Sequence, residues 1–458
     1  MTRRLMAMTA ALVLSLGLAA CSEEQQPAPE PTPKPSAGTA EEPRTLTFGA
    51  FGHPTELKAF QRVVDSFNAT SQTREVKLVT WANHEQALES VLEGDAPDVF
   101  LTSRRDLRQI ADADATRPVG LLLDERGVDF GDRFSRDAVD AFAYEDELQC
   151  MAYSVSPMVI YYNDDLIDFD KMERRGLDVP SVKNDVRSDR WSLAEFAAAA
   201  QFATRRGKVD GVWIEPTLRG LAPFIYSGGG QVFDEDDDPT SLAFSDDGTR
   251  SALDQTLAIL RDTTLTPSAD ELRKATALQL FKRGKLAMIA GFRDLVPELR
   301  AVDSLSFDTI SMPVIDSPAT VGDIDGLCIS ADSERVNDAA DFLAYAVSDA
   351  ALEIVTRTGY IVPANTEVAG SDAFLWPDRQ PAHASVFNSA IRGMIIPPLL
   401  ATGPELETAV SPLLDDLVTS PGVLDLELAT EEIDNVSRSV LDPESFTESP
   451  APSESPTD

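Results

Sequence analysis

The stretch Leu148–Ile167, LQCMAYSVSPMVIYYNDDLI, constrains the fold of this chain more than any other. It has no Gly, a single Pro, and a dense run of β-branched and aromatic residues interrupted mainly by serines. That composition favours extended chain over helix. A polar, helix-forming region precedes it, and a region with its own turns and helices follows. The stretch therefore reads as the crossing from one lobe into a second. Within it Tyr161 and Tyr162 are neighbours, and neighbours on a strand point to opposite faces, so the two rings do not easily share one ion.

Upstream of the crossing, strand and helix patterns alternate. Thr45–Phe48 is a short strand closing in the loop Gly49–Pro54, and Glu56–Asn68 sets Leu57, Phe60, Val63, Val64 and Phe67 on one helical face. Glu75–Trp81 and Asp98–Thr102 are further strands, followed by helices over Glu85–Leu92 and about Arg105–Asp112. This alternation predicts parallel strands joined by crossover helices. In such sheets ligands sit beyond the carboxyl ends of the strands, here Phe51–His53, Trp81 and Thr102–Arg105. Downstream, Ser192 and Glu195 form a capping box, and Trp191 just before it packs the helix onto the core. Ser245 begins a helix with Ala252, Leu253, Leu257 and Leu260 on one face. Gly228–Gly230 is a loop where the backbone turns tightly or closely approaches something bound.

The ends differ from the body. Arg3 and Arg4 precede the apolar run Met6–Leu18, and Leu18-Ala19-Ala20-Cys21 is similar to a bacterial lipobox. Residues 1–20 are expected to be a signal peptide and Cys21 the lipidation site, with the acylated end holding the chain at the membrane. The Pro-rich segment 21–43 is a disordered stalk, and 442–458 a disordered tail, because neither can bury enough apolar surface to fold. The remaining body has the length of two or three domains. The formal net charge of −38 excludes nucleic-acid and anionic-lipid partners for the body. His53, His84 and His383 are isolated, and neither a nucleophile elbow nor a phosphate loop is present, so the expectation is no enzyme, no metal and no cofactor. Cys150 and Cys328 remain in an oxidising compartment, where a bridge is allowed.

The order of pieces resembles the family 1 extracellular solute-binding proteins, the substrate-binding lipoproteins of ABC importers that include sugar binders. The matching pieces run from Thr45 to about Leu414. They include Ala96-Pro97-Asp98-Val99-Phe100, the crossing stretch, and Trp191-Ser192-Leu193-Ala194-Glu195-Phe196. Phe224–Gly230, Leu280–Met288 running into Gly291-Phe292-Arg293, Gly326–Ser330 and Thr358–Asn365 follow in the same order. The resemblance implies an α/β, two-lobed periplasmic-binding-protein-like fold of type II. Each lobe would be a mainly parallel sheet flanked by helices, with the ligand cleft between them. It assigns 44–153 and 327–364 to the first lobe, and 154–326 and 365–441 to the second. It also brings Cys150 beside Cys328 at the hinge, either bridged or as two buried thiols.

Aligned by motif, the chain departs from a maltodextrin-type site. Gly291-Phe292-Arg293 stands where that site has Gly-Pro-Trp, Thr102 where it has an aromatic, and Ser156 where it has a carboxylate near the hinge. Two stacking platforms are thus absent, which favours a small sugar, a sugar acid or a phosphorylated polyol over a long oligosaccharide. The expected ligand-binding residues are Phe51, His53, Trp81, Thr102, Arg105, Ser154, Ser156, Tyr226, Gly229, Phe292, Arg293, Asp323 and Asp325. The expected function is capture of a small carbohydrate or related polar solute by a monomer, with delivery to ABC permease subunits on hinge closure. The alternative is a ligand-sensing or surface-scaffold lipoprotein that kept the fold without transport.

Overall fold

The computed structural model describes residues 44–70, 73–183 and 186–447. The expected signal peptide, Cys21 and stalk lie outside the described residues, as do residues 448–458 of the expected tail. The part of that tail which is described opens with a helical turn, Pro443–Thr447, where the sequence predicts disorder.

Strand β1 (Arg44–Ala50) leads into helix α1 (Pro54–Thr70), β2 (Arg74–Thr80) into α2 (His84–Leu92), and β3 (Val99–Ser103) into a 3-10 turn over Arg104–Asp106. β1 lies between β2 and β3 and runs parallel to both, as the alternation predicts. Helix α1 buries Ala59, Phe60, Val63, Val64 and Phe67, spaced to share one face, against this sheet. Asn83 begins α2 by accepting the Gln86 N–H.

The crossing stretch forms two strands, β4 (Cys150–Pro157) and β5 (Val159–Asn163). Pro157 ends β4, as a residue without an N–H must where pairing stops. Met158 then donates to the Val321 carbonyl at 2.8 Å, and β5 enters a second sheet. Alternation along the two strands partitions the cores. Tyr153 and Val155 belong to the first core, Ile160 and Tyr162 to a second, and Val159 and Tyr161 to a third. The tyrosine pair is therefore packing on opposite faces.

Helices α3 (Leu193–Ala203), α4 (Leu218–Ser227) and α5 (Asp247–Leu260) fill the second core. Ser192 caps α3 as expected: its hydroxyl accepts the Glu195 N–H, and the Glu195 carboxylate accepts the Ser192 N–H. Trp191 is buried and donates to the Ser311 carbonyl at 2.8 Å. Strand β6 (Met288–Gly291), helix α6 (Leu295–Arg300) and strand β7 (Phe307–Ile310) come next, and β5 pairs antiparallel with both β6 and β7. This corrects the expectation of a mainly parallel sheet in each lobe. β6 and β7, joined through a helix, run the same way on either side of β5, which arrives directly from the first sheet and runs opposite. Among the described residues, parallel contact here is confined to single bridges such as Trp213 with Ile289.

Strand β8 (Thr320–Ser330) returns to the first sheet and pairs antiparallel with β3 on one side and β4 on the other. Its register against β4 shifts between Asp325 and Gly326. A Cβ at Gly326 would lie 2.6 Å from the Phe142 ring, so only Gly fits that approach. Cys328 is the register partner of Cys150, and a disulfide joins them with a Cα–Cα distance of 4.3 Å. Helices α7 (Gly403–Thr419) and α8 (Leu426–Leu441) close the second core with Leu406, Val410, Leu414, Leu417 and Ile433. Among the described residues no helix is long and apolar enough to cross a membrane.

Candidate functional site

The loops at the carboxyl ends of β1, β2 and β3 meet the middle of β4 and β8 and the turn between β6 and α6. There they line a cavity of about 220 Å³. Period-two alternation sets which strand side chains enter it, apart from Tyr153, which also lines it where the register of the strand pair shifts. Along β4, Ser154 and Ser156 face the cavity while Val155 is buried behind them. Along β8, Asp323 and Asp325 face it while Ile324 is buried. The two strands are in register so that Ser154 opposes Asp325 and Ser156 opposes Asp323. The Ser154 hydroxyl donates to Asp325 at 2.8 Å. After β6 the same alternation sends Phe292 and Asp294 into the cavity and turns Arg293 away.

An ion triad crosses the cleft beside this cavity. Arg105 follows β3, Arg219 opens α4, and Asp323 sits on β8 between them. Arg105 Nη2 donates to Asp323 Oδ1 at 2.8 Å, and Arg219 Nη2 lies 2.7 Å from the same oxygen. Burial would raise the Asp323 carboxyl, but the two guanidiniums outweigh it and hold it below the ordinary range. The Arg219 guanidinium also lies over the Phe292 ring, 4.3 Å from its centroid. Beyond the triad the cleft continues into a second cavity of about 430 Å³, lined by Met158, Glu215, Thr217 and Glu407 among others.

The remaining carboxylates behave differently from Asp323. Burial pushes Glu56 up to about 7, partly opposed by its hydrogen bond from the His53 N–H, with Asp325 and Asp294 adding to the rise. Burial, then the neighbouring Asp323, pushes Asp325 up to about 6. Asp294, a residue exposed at the cleft, is also raised, by partial desolvation and then by Asp323. His84 is raised by its hydrogen bond to Asp106, at 3.0 Å.

Of the residues expected from the sequence, Phe51, Arg105, Ser154, Ser156, Phe292, Asp323 and Asp325 line one cavity. Tyr226 lines an adjoining one with Arg219 and Phe233. The structure does not bring the other five to these cavities. His53 is exposed and stacks on Tyr360, their ring centroids 4.6 Å apart. Trp81 packs over the backbone at Gly49, where a Cβ would overlap its ring. Thr102 is buried in the ladder opposite Gly326, and Gly229 is exposed with φ of +78°. Arg293 is 1% exposed, donates to the carbonyls of Gly359 and Phe374, and lies over the rings of Phe374 and Phe387. Its burial pushes the guanidinium down to about 9. Glu56, His84, Arg219, Asp294 and Tyr360 were not singled out from the sequence. Asp294 follows from the Phe292 alternation, whereas Arg219 has no signal in the sequence that separates it from a solvated helix start.

Two α/β regions joined through β4 and β8, with a polar and aromatic cleft between them, define a two-lobed solute-binding fold. The model of the bacterial extracellular solute-binding protein family matches residues 62–381, and the chain belongs to that family. Solved structures similar in fold include an ABC substrate-binding protein of Listeria monocytogenes in complex with cycloalternan. It shares 21% identity and a TM-score of 0.71, over 88% of this chain and 99% of that one. The GacH receptor of Streptomyces glaucescens, solved unliganded and with acarbose, shares 18% identity and a TM-score of 0.68 over 88% and 99% of the two chains. UgpB of Mycobacterium tuberculosis in complex with glycerophosphocholine shares 16% identity and a TM-score of 0.68 over 86% and 98%. A search of curated protein sequences finds no match.

Proposed function

We propose that this chain is an extracytoplasmic solute-binding lipoprotein. It captures a small carbohydrate or related polar solute in the cleft and delivers it to an ABC permease when the lobes close. The observation that carries this is the Arg105–Asp323–Arg219 triad beside a ring-lined cavity. Groups from both sides of the cleft converge on one point of the connecting strand, so a solute bound there has different contacts in open and closed forms. Differential contact of that kind is what shifts a two-state equilibrium and gives the permease one form to recognise. The proposed lobes are 44–153 with 327–364 and 154–326 with 365–441. Most of the first core lies in the former and most of the second in the latter, while Val155, Ile324 and Val368 of the first core and Val362 of the third cross these limits. The protein acts as a monomer held to the outer face of the cell membrane through acylated Cys21.

Calorimetric titration of the purified full chain with neutral sugars, polyols, amino sugars and sugar phosphates tests the binding step. Saturable binding of one class is expected; no saturable binding across all four would sink the reading. Loss of membrane association in Cys21→Ala, with the protein still exported, tests the anchor.

A further inference from the structure

The cations that reach the cleft already have partners in the protein. Arg105 and Arg219 share Asp323, His84 pairs with Asp106, and Arg104 donates to the carbonyls of Ala141 and Pro397. Arg293, one of the charges behind the expectation of an acidic solute, lies in the core. The anions are not satisfied in the same way. Glu56, Asp294 and Asp325 line the cavity of about 220 Å³, and none forms an ion pair with a basic side chain among the described residues. They come from three separate elements, the first turn of α1, the start of α6 and the middle of β8, so the fold itself brings them together.

Five rings, Phe51, Phe60, Tyr153, Phe292 and Tyr360, line the same cavity. One of them demonstrates the chemistry of this wall: Phe292 already carries the Arg219 guanidinium on its face. A neutral sugar needs donors and acceptors in comparable number. Here hydroxyls such as those of Ser103 and Ser156 also line the cavity, but a neutral solute would leave the negative charge of the three carboxylates without a counter-charge. An ammonium group, which only donates or only presents positive charge, matches acceptors and ring faces together. Burial raises Glu56 and Asp325, with like-charged neighbours adding to the rise, and a bound cation would offset both effects.

We propose, resting on the solute-binding reading above, that the captured solute carries an ammonium group, seated against the ring walls between Glu56, Asp294 and Asp325. The test is calorimetry on the purified full chain at 0.15 M salt, where the overall negative charge is screened beyond about 8 Å. Matched pairs isolate the charge: glucosamine against glucose, and choline against 3,3-dimethylbutan-1-ol, with glucose 6-phosphate as the anionic arm. One ammonium member is expected to bind at least about tenfold more tightly than its neutral counterpart. Glucosamine or choline as the tighter of the two says whether the group is a protonated amine or a quaternary ammonium. Asp325→Asn is expected to cut the preference to within about threefold. Its unfolding midpoint, unchanged or raised, shows that the variant is folded. A neutral or phosphorylated member binding as tightly as the ammonium members overturns the inference and leaves solute binding standing. Absence of binding by every member tells against solute binding itself and takes the inference with it.

Discussion

Asp323 and Asp325 stand two residues apart on one strand face, yet their environments separate them. Asp323 holds two guanidiniums and stays ionised; Asp325 has one hydroxyl and a like-charged neighbour, so its proton is bound more tightly in the folded chain. The consequence for stability has a definite sign. A carboxyl raised on folding, to about 7 for Glu56 and about 6 for Asp325, holds its proton in the folded state after the unfolded chain has lost it. Stability therefore falls as pH rises from the unfolded values near 4 through those folded values. The raised His84 pair acts in the same direction: its contribution is complete below the unfolded His value and is lost as pH rises through the folded one. Carboxylates held low, such as Asp323, lose their contribution only below about pH 4. Chemical denaturation of the ligand-free protein is expected to give a lower midpoint at pH 8 than at pH 5.5. Glu56→Gln with Asp325→Asn should flatten that difference, and an undiminished slope in the double variant would refute the assignment.

At the scale of elements, β4 and β8 carry both the cleft floor and the connection between lobes. The disulfide clamps the ends of these strands that lie within the first core, across a sequence separation of 178. In the chain-entropy account a loop of that length corresponds to about 5 kcal/mol of denatured-state restriction. Reduction, or Cys150→Ser with Cys328→Ser, is expected to lower the denaturation midpoint substantially while solute affinity changes little, since Ser154, Ser156, Asp323 and Asp325 lie nearer the other end of the pairing. Intact-mass measurement with and without reductant checks the bond itself. Much at this scale was legible beforehand. The strands at β1 to β3, the capping box at Ser192 and the opposed faces of Tyr161 and Tyr162 all follow from local periodicity. The antiparallel placing of β5 between β6 and β7 does not, because local pattern carries no record of which strands a distant segment will join.

Across the whole molecule, the triad is the contact that ties loop, helix and connecting strand. Arg219→Ala removes its α4 arm and the cover over Phe292. The ligand-free variant is expected to have a larger radius of gyration by small-angle scattering than the parent, with weaker solute binding. An unchanged radius with unchanged affinity would mean that Arg219 is a rim charge, of the kind that contributes at most about 1 kcal/mol. The same view explains which expected site residues miss the cleft. Arg293 and Thr102 sit in the right segments, but alternation and pairing turn both inward. Trp81 ends a strand of the correct lobe, yet its ring is taken up by the open backbone at Gly49. By itself the sequence determined the crossing stretch, the helix and strand types and the family pattern, since these depend on propensity and spacing within a few residues. Only the tertiary structure decided that Glu56, Asp294 and Asp325 share one ring-lined cavity and that Arg219 reaches Asp323. Those neighbours are far apart along the chain, and their meeting depends on how β8 returns beside β4.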